Sequence, residues 1–175
     1  MGTDERCMAP TGLPVDELIA WVRAGGRLAD FAAGAPLERN SVIDTDCDIL
    51  VPAARPDVIS GANAHMVKAK LVLEGANIPV TTDAEAMLHD RGVLCLPDWV
   101  VNAGDVICAS AEYAGESRAR AFDLIAQTIR DNTAAVIERS RARSELPRVV
   151  AEELAAASLR EAMSFRRSWS DGVTD

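Results

Sequence analysis

A short apolar run occupies residues 46–52, where the chain reads Asp46-Cys47-Asp48-Ile49-Leu50-Val51-Pro52. Its apolar residues do not alternate with polar ones and a proline ends it, which is typical of a strand buried in a parallel sheet. Two later runs have the same form: residues 69–73 lead into Glu74-Gly75-Ala76-Asn77, and residues 92–96 lead into Pro97-Asp98. Three such strands separated by helical segments predict β-α-β units, and therefore an α/β protein with a parallel sheet.

Helical patterns surround these strands. The spacing of apolar residues predicts helices from Pro14 to Ala24 and from Arg118 to Arg143, and Pro147 begins an Ala-rich helix that extends to about Phe165. Thr82-x-x-Glu85 predicts a capping box at the start of another helix. Residues 27–31 predict a short edge strand.

Composition limits the function. The 175 residues have the size of one domain, and 49% apolar with 26% charged residues indicate a globular protein. The formal net charge of −9 argues against nucleic acid or an anionic membrane surface as a partner, because either would repel the chain. No apolar run is long enough to span a membrane and the first residues lack a signal-peptide pattern, so we expect a cytoplasmic protein. The four cysteines lack C-x-x-C spacing and are expected to be free thiols.

Several kinds of site are missing from the sequence. His65 and His89 stand alone, without other histidines or cysteines at ligand spacing, so we expect no metal. Asp46 and Asp48 are better interpreted as polar residues at a strand edge than as a catalytic pair. No G-x-G-x-x-G is present to bring backbone close to a pyrophosphate. We assign no catalytic residue.

The candidate residues follow the strands, because ligands of open parallel sheets bind outside the carboxyl ends of the strands. Asn77 and Asn102 each offer a donor and an acceptor that could match a carboxamide. The small residues Ala103 and Gly104 would let a flat ring approach the backbone. Asn is also a favoured turn residue, so either asparagine could serve only to form a turn.

Together these segments resemble the coenzyme domain of the glutamate/leucine/phenylalanine/valine dehydrogenase family. Residues 46–54 resemble its C-D-I-L-V-P-A-A strand, residues 69–81 its A-K-x-x-x-E-G-A-N-x-P-x-T segment, and residues 91–106 its R-G-V-x-x-x-P-D…N-A-G-G-V segment. The blocks keep their order and spacing from about Pro10 to Val106. The later residues are similar in character to the branched-chain members.

The resemblance implies oxidative deamination of an L-amino acid to a 2-oxo acid with NAD or NADP. It also implies that Ala53, Asn77 and Asn102 line the nicotinamide and its ribose, and that Val106 and Ala109 face the substrate side chain. Because glutamate-specific members have a hydroxyl at the position of Ala109, the alanine favours an apolar, for example branched, amino acid.

The chain also departs from the family pattern. Asp105 replaces the second glycine of N-A-G-G-V and Ile78 replaces a common glycine. The family's catalytic lysine belongs to an N-terminal domain, and Lys68 and Lys70 do not match its position. We therefore expect an incomplete Rossmann-like, partial NAD(P)-binding domain over residues 1–145, lacking the first β-α-β. Residues 146–175 would form a C-terminal helix and tail that packs on this domain or on a partner.

The missing strands have a physical consequence. In the strand order 3-2-1-4-5-6, the absence of strands 1 and 2 predicts a gap in the middle of the sheet. Because unpaired strand edges are costly, we expect a homo-oligomer or a companion segment that completes the sheet. The isolated chain is then expected to be inactive. The alternative is a non-catalytic binding module, suggested by the carboxylate of Asp105 beside the expected ring site.

Overall fold

The computed structural model describes residues 6–36 and 42–170, in which short strands and helices follow one another. In chain order the strands and α-helices are β1 (Cys7–Met8), α1 (Val15–Arg23), β2 (Ala35–Pro36), β3 (Ile49–Leu50), β4 (Leu71–Leu73), α2 (Thr82–Asp90), β5 (Leu94–Leu96), α3 (Asp98–Val101), α4 (Gly104–Tyr113), α5 (Arg118–Arg143) and α6 (Pro147–Ser170). Within the described residues, none of the helices is both long and apolar enough to cross a membrane.

The central element is a parallel sheet with the order β3-β4-β5. Ile49 is paired with Leu71, and Val72 with Cys95. This confirms the predicted α/β fold with a parallel sheet, although each strand is shorter than its apolar run. β1 and β2 form a separate antiparallel pair.

Both faces of the sheet are covered by helices. Val72 and Cys95 belong to one buried cluster with Leu88 of α2. Leu96 belongs to a second cluster with Val136 of α5 and Ala151 of α6. Successive strand residues therefore point to different cores, which explains why the strands are apolar without alternation. Each fully buried Val or Leu side chain contributes about 1.5–3 kcal/mol.

The prediction of a gap in the middle of the sheet is wrong. The three strands are paired with one another without interruption and in chain order. Among the described residues, no strand is paired with the other edge of β3. Ile49 and Val51 are 54% and 51% exposed there. In the described part of the chain, one edge of the sheet is thus open and apolar.

The predicted edge strand over residues 27–31 is also wrong, because Leu28–Asp30 forms a 3-10 turn. The carbonyl of Arg27 accepts hydrogen bonds from Trp21 Nε1 at 2.8 Å and from the Asp30 amide at 3.1 Å. A carbonyl that accepts these two hydrogen bonds is not available to accept one from a neighbouring strand. Phe31, the next residue, is buried and its ring lies 6.4 Å from that of Trp21.

The predicted capping box is wrong for a reason that bears on the site. Thr82 is the first residue of α2, and Thr81, which precedes it, makes no side-chain capping hydrogen bond. The Glu85 side chain is buried and accepts from Arg148 of α6 instead of returning to the start of its own helix. A tertiary ion pair has replaced the local motif.

Candidate functional site

The carboxyl ends of the three parallel strands form one edge of the molecule. The Ala76 amide, after β4, donates to the Pro52 carbonyl, after β3, at 2.9 Å. The Glu74 amide donates to the carbonyl of Leu96 at the end of β5, at 3.2 Å. The segments that follow the strands are therefore bonded to one another in strand order.

Small residues let two of these segments approach closely. A Cβ at Gly75 would lie 3.0 Å from the Cβ of Ala53 and 3.1 Å from a methyl group of Val51. Such contacts are tighter than side chains normally accept, so the approach depends on glycine at position 75. Ala53, predicted from the sequence, lies at this approach and is exposed.

The same edge brings the two predicted asparagines together. Asn102 Nδ2 donates to Asn77 Oδ1 at 3.4 Å, and both residues are exposed. The Asn77 Nδ2 and Asn102 Oδ1 atoms of this pair offer one donor and one acceptor, the set that a carboxamide requires. The pair could thus hold the amide of a nicotinamide ring, although each asparagine also stands where a turn-forming residue would.

Ile78 and Asp98 fix the segment that carries Asn77. The Ile78 amide donates to Asp98 Oδ2 at 3.0 Å, and Ile78 has a φ of 49°. A β-branched residue in the left-handed region is strained. The sequence suggested this strain only through the departure from a common glycine, and it did not indicate the role of Asp98.

We expect the Ile78→Gly variant to be more stable than the native protein by about 1 kcal/mol, which raises the melting temperature by about 2–4 °C. Glycine adopts a positive φ without strain, and the Ile78 side chain is 59% exposed, so little buried area is lost. Thermal unfolding measures the change. Ile78→Ala is the control, because alanine keeps the Cβ that causes the strain, and equal stability of the two variants would contradict the prediction.

A buried group of charges lies behind this edge. Arg148 of α6 donates through Nε and Nη2 to the Glu85 carboxylate at 2.7–2.8 Å, and through Nη2 to Glu74 Oε2 at 3.2 Å. Asp98 Oδ1 lies 3.9 Å from the same Nη2. The Glu74 side chain is fully buried, and the Glu85 and Asp98 side chains are 4% and 11% exposed. We call these four residues the Arg148 cluster.

One cation faces three carboxylates in this cluster, and Glu74 is the most deeply buried of the three. Burial and the neighbouring Glu85 raise the pKa of Glu74 to about 8. The thiol of Cys95 donates to Glu74 Oε1 at 3.4 Å, and burial raises the pKa of Cys95 far above its usual range. The hydrogen bonds that Arg148 donates to Glu85 raise the pKa of Arg148, which stays charged. At neutral pH the Glu74 carboxyl therefore keeps its proton.

Glu74, Glu85 and Cys95 also offer ligand atoms within 4.8 Å of one another, as a metal site would. Arg148 already donates to both carboxylates, so the guanidinium supplies the positive charge that an ion would bring. The grouping was missed by sequence reasoning, which looked for histidines and cysteines at short spacing. We interpret it as an ion-pair network.

A cavity of about 490 Å³ lies beside the end of β3. Its lining includes Ala53, Arg6 and Arg55, and apolar residues such as Val51. Asn77 and Asn102 are not among its lining residues. The cavity thus combines apolar residues with two arginines next to the predicted nicotinamide position.

Val106 and Ala109, the predicted substrate residues, lie on α4 away from this cavity. Val106 lines a groove of about 470 Å³ between α4 and α5, whose described lining includes none of the strand-end residues. Ala109 is exposed and outside that lining. Their contact with a substrate side chain stays a prediction.

The two lysines lie at the opposite end of the sheet. Lys68 and Lys70 precede β4, whereas the asparagine pair follows the strands. Lys70 Nζ donates to Asp48 Oδ1 at 2.8 Å, and this hydrogen bond lowers the pKa of Asp48. Asp48 is therefore part of an exposed ion pair, in agreement with its interpretation as a polar strand-edge residue.

Known proteins are similar to this chain in both sequence and architecture. The sequence model of the glutamate/leucine/phenylalanine/valine dehydrogenases matches residues 6–167. The chain belongs to this family. It is 39% identical over 103 residues to the NADP-specific glutamate dehydrogenase of Saccharolobus shibatae, covering 59% of this chain and 24% of that protein. It is 37% identical over 115 residues to the glutamate dehydrogenase of Thermotoga maritima, covering 66% of this chain and 28% of that protein.

Solved structures of amino-acid dehydrogenases have the same fold. The hetero-hexameric glutamate dehydrogenase of Thermus thermophilus, in a Leu-bound form, matches 95% of this chain and 39% of its own with a TM-score of 0.70 and 28% identity. The L-tryptophan dehydrogenase of Nostoc punctiforme matches 78% of this chain and 41% of its own with a TM-score of 0.70 and 22% identity, a likeness of fold. The chain thus spans about a quarter of the length of the curated relatives.

Proposed function

We propose that this chain supplies the nicotinamide-binding side of a cytoplasmic NAD(P)-dependent dehydrogenase that oxidatively deaminates an L-amino acid to a 2-oxo acid. The observation that carries the proposal is the exposed Asn77–Asn102 pair, 3.4 Å apart at the carboxyl edge of a family-type parallel sheet. Ligands of such sheets bind at that edge. The named activities of the relatives, glutamate and tryptophan dehydrogenases, support the reaction class.

The residues at the edge fit the nicotinamide half of the coenzyme. The amide donor and acceptor of the pair would bind the carboxamide and fix which ring face is presented to the substrate. Ala53, close to Gly75, would leave room for a flat ring and its ribose. Bound NAD(P)+ would supply the hydride acceptor. The residues of this chain would thus bind and orient the ring.

Proton transfer in the reaction needs a base, and neither of the two lysines of the chain lies at this edge. Lys68 and Lys70 lie at the opposite end of the sheet, and the chain has no G-x-G-x-x-G for the diphosphate. We therefore propose that the isolated chain does not turn over. Catalysis would require the segments that the full-length relatives carry.

For the substrate, we propose that Val106 and Ala109 favour an apolar amino acid. Ala109 provides no hydroxyl to bind a side-chain carboxylate. A complete enzyme that oxidised glutamate better than leucine or valine would contradict this part of the proposal.

The competing hypothesis of a non-catalytic module rested on Asp105. Its Oδ1 accepts from the Val106 amide at 2.8 Å at the start of α4, an ordinary role for an acidic residue at a helix N-terminus.

The coenzyme proposal predicts saturable binding of NADH to the purified chain, measured by nicotinamide fluorescence. Asn77→Ala and Asn102→Ala should each weaken binding about tenfold, which corresponds to about 1.4 kcal/mol for a lost amide contact. Asn132→Ala, at an exposed position on α5, is the matched control and should bind as the native chain does. No saturable binding by the native chain, or native affinity in both site variants, would show that the pair is only structural.

The open edge of β3 leads to a proposal about assembly. We propose that another strand, from a second copy or a companion segment, is added at this edge, where Ile49 and Val51 are exposed. Val51→Lys should reduce the molar mass measured by light scattering, because a charge at an edge opposes strand pairing. Val149→Lys, at an exposed position on α6, should leave the mass unchanged. Equal masses for the native chain and the Val51 variant would contradict pairing with a second copy.

A further inference from the structure

Asp98 accepts hydrogen bonds from both segments that carry the asparagine pair. Its Oδ2 accepts from the Ile78 amide at 3.0 Å, directly after Asn77. Its backbone carbonyl accepts from the Asn102 amide at 2.6 Å, at the end of α3. The distance between the two asparagine side chains therefore depends on a single residue that lies behind them.

The α6 helix reaches the same residue through Arg148. Within the described residues, the buried Oδ1 of Asp98 has no hydrogen-bond partner, and Arg148 Nη2 lies 3.9 Å from it. At that distance and in a buried setting, the positive charge orients the carboxylate without a direct hydrogen bond.

Both ends of the segment that carries Asn77 are held by hydrogen bonds that involve the Arg148 cluster. At one end Glu74 accepts from Arg148 at 3.2 Å, and at the other Ile78 donates to Asp98 at 3.0 Å. Gly75, Ala76 and Asn77 lie between these two points. The strained φ of Ile78 persists because these bonds hold the segment in place.

We propose that Asp98, oriented by Arg148, is the positioning residue that keeps Asn77 and Asn102 in register for the nicotinamide carboxamide. The C-terminal helix thereby contributes to coenzyme affinity without contacting the coenzyme. This proposal rests on the proposed function for its ligand. The part of the proposal that concerns the geometry of the asparagine pair depends only on the hydrogen bonds.

The test uses the full chain with its asparagines labelled with ¹⁵N, and follows their side-chain amide resonances by NMR. Asn77→Ala and Asn102→Ala assign the two signals by their loss. Asp98→Ala should shift both signals and weaken NADH binding about tenfold. Asp98→Asn should shift them less, because its amide oxygen can still accept from the Ile78 amide. Asp123→Asn, exposed on α5, should shift neither signal.

Variants of Arg148 provide the second part of the test. Arg148→Lys keeps the positive charge near Asp98 and should restore part of the shift and of the affinity lost in Arg148→Met. If an Asp98→Ala or Arg148→Met chain does not fold, the Asp98→Asn and Arg148→Lys chains decide by the same signals. Unshifted Asn77 and Asn102 amides in the folded Asp98 variants would overturn the proposal. Shifted amides in a chain that never binds NADH would support the positioning role while refuting the proposed function.

Discussion

Replacing Arg148 with methionine is expected to lower the free energy of unfolding by about 3–5 kcal/mol, the usual effect of removing one partner from a buried ion pair. The variant would leave Glu74, Glu85 and Asp98 buried around a space with no cation. Methionine is similar in length and apolar, so the loss reports the charge and its hydrogen bonds more than the packing. Urea unfolding at pH 7, followed by circular dichroism, measures the change.

The matched control is Arg143→Met. Arg143 Nη1 also connects α5 to α6, through Glu153 Oε2 at 2.6 Å, but both side chains are about half exposed. Exposed pairs are screened by water and salt, so this variant should lose far less stability than Arg148→Met. If the two arginine variants were equally destabilised, the Arg148 cluster would have no special role in holding α6 on the sheet.

Much of the fold was predictable because it depends on local patterns. The unalternating apolar runs predicted three parallel strands, and the periodicity of residues 118–143 gave the bounds of α5. The edge strand over residues 27–31 was mispredicted because the Trp21 indole engages the Arg27 carbonyl, a contact that apolar patterning does not encode. The gap in the sheet was mispredicted because a gap requires a further strand on its far side, and residues 27–31 do not form one.

The candidate site was predictable only in part. Asn77 and Asn102 follow different strands, and the rule that parallel strands end at one edge was enough to expect them together. The Arg148 cluster was not predictable, because Arg148 is 63 and 74 positions away from Glu85 and Glu74. Arg148 lies on an Ala-rich helix whose sequence gives no sign of the carboxylates it faces. A capping-box pattern even offered Glu85 a plausible local role.

Replacing Glu74 with glutamine is expected to change how stability depends on pH. The pKa of Glu74 is raised from 4.5 to about 8 in the folded chain, so between these values the folded state holds a proton that the unfolded state has lost. Unfolding then releases that proton, and the stability of the native chain falls as pH rises through this window. The slope approaches about 1.4 kcal/mol per pH unit for one proton.

Glutamine is nearly the same shape as the protonated carboxyl and cannot ionise, so the Glu74→Gln variant should lose this part of the slope. Glu85, Cys95, Asp98 and Arg148, which face residue 74, are the same in both chains. The variant should therefore be more stable than the native chain at pH 9, and in urea unfolding series the difference should shrink from about pH 8 towards pH 6. Glu153→Gln, at the exposed pair with Arg143, should keep the native slope. A Glu74→Gln chain with the native slope would mean that Glu74 is ionised in the folded protein, and that Arg148 neutralises it in spite of its burial.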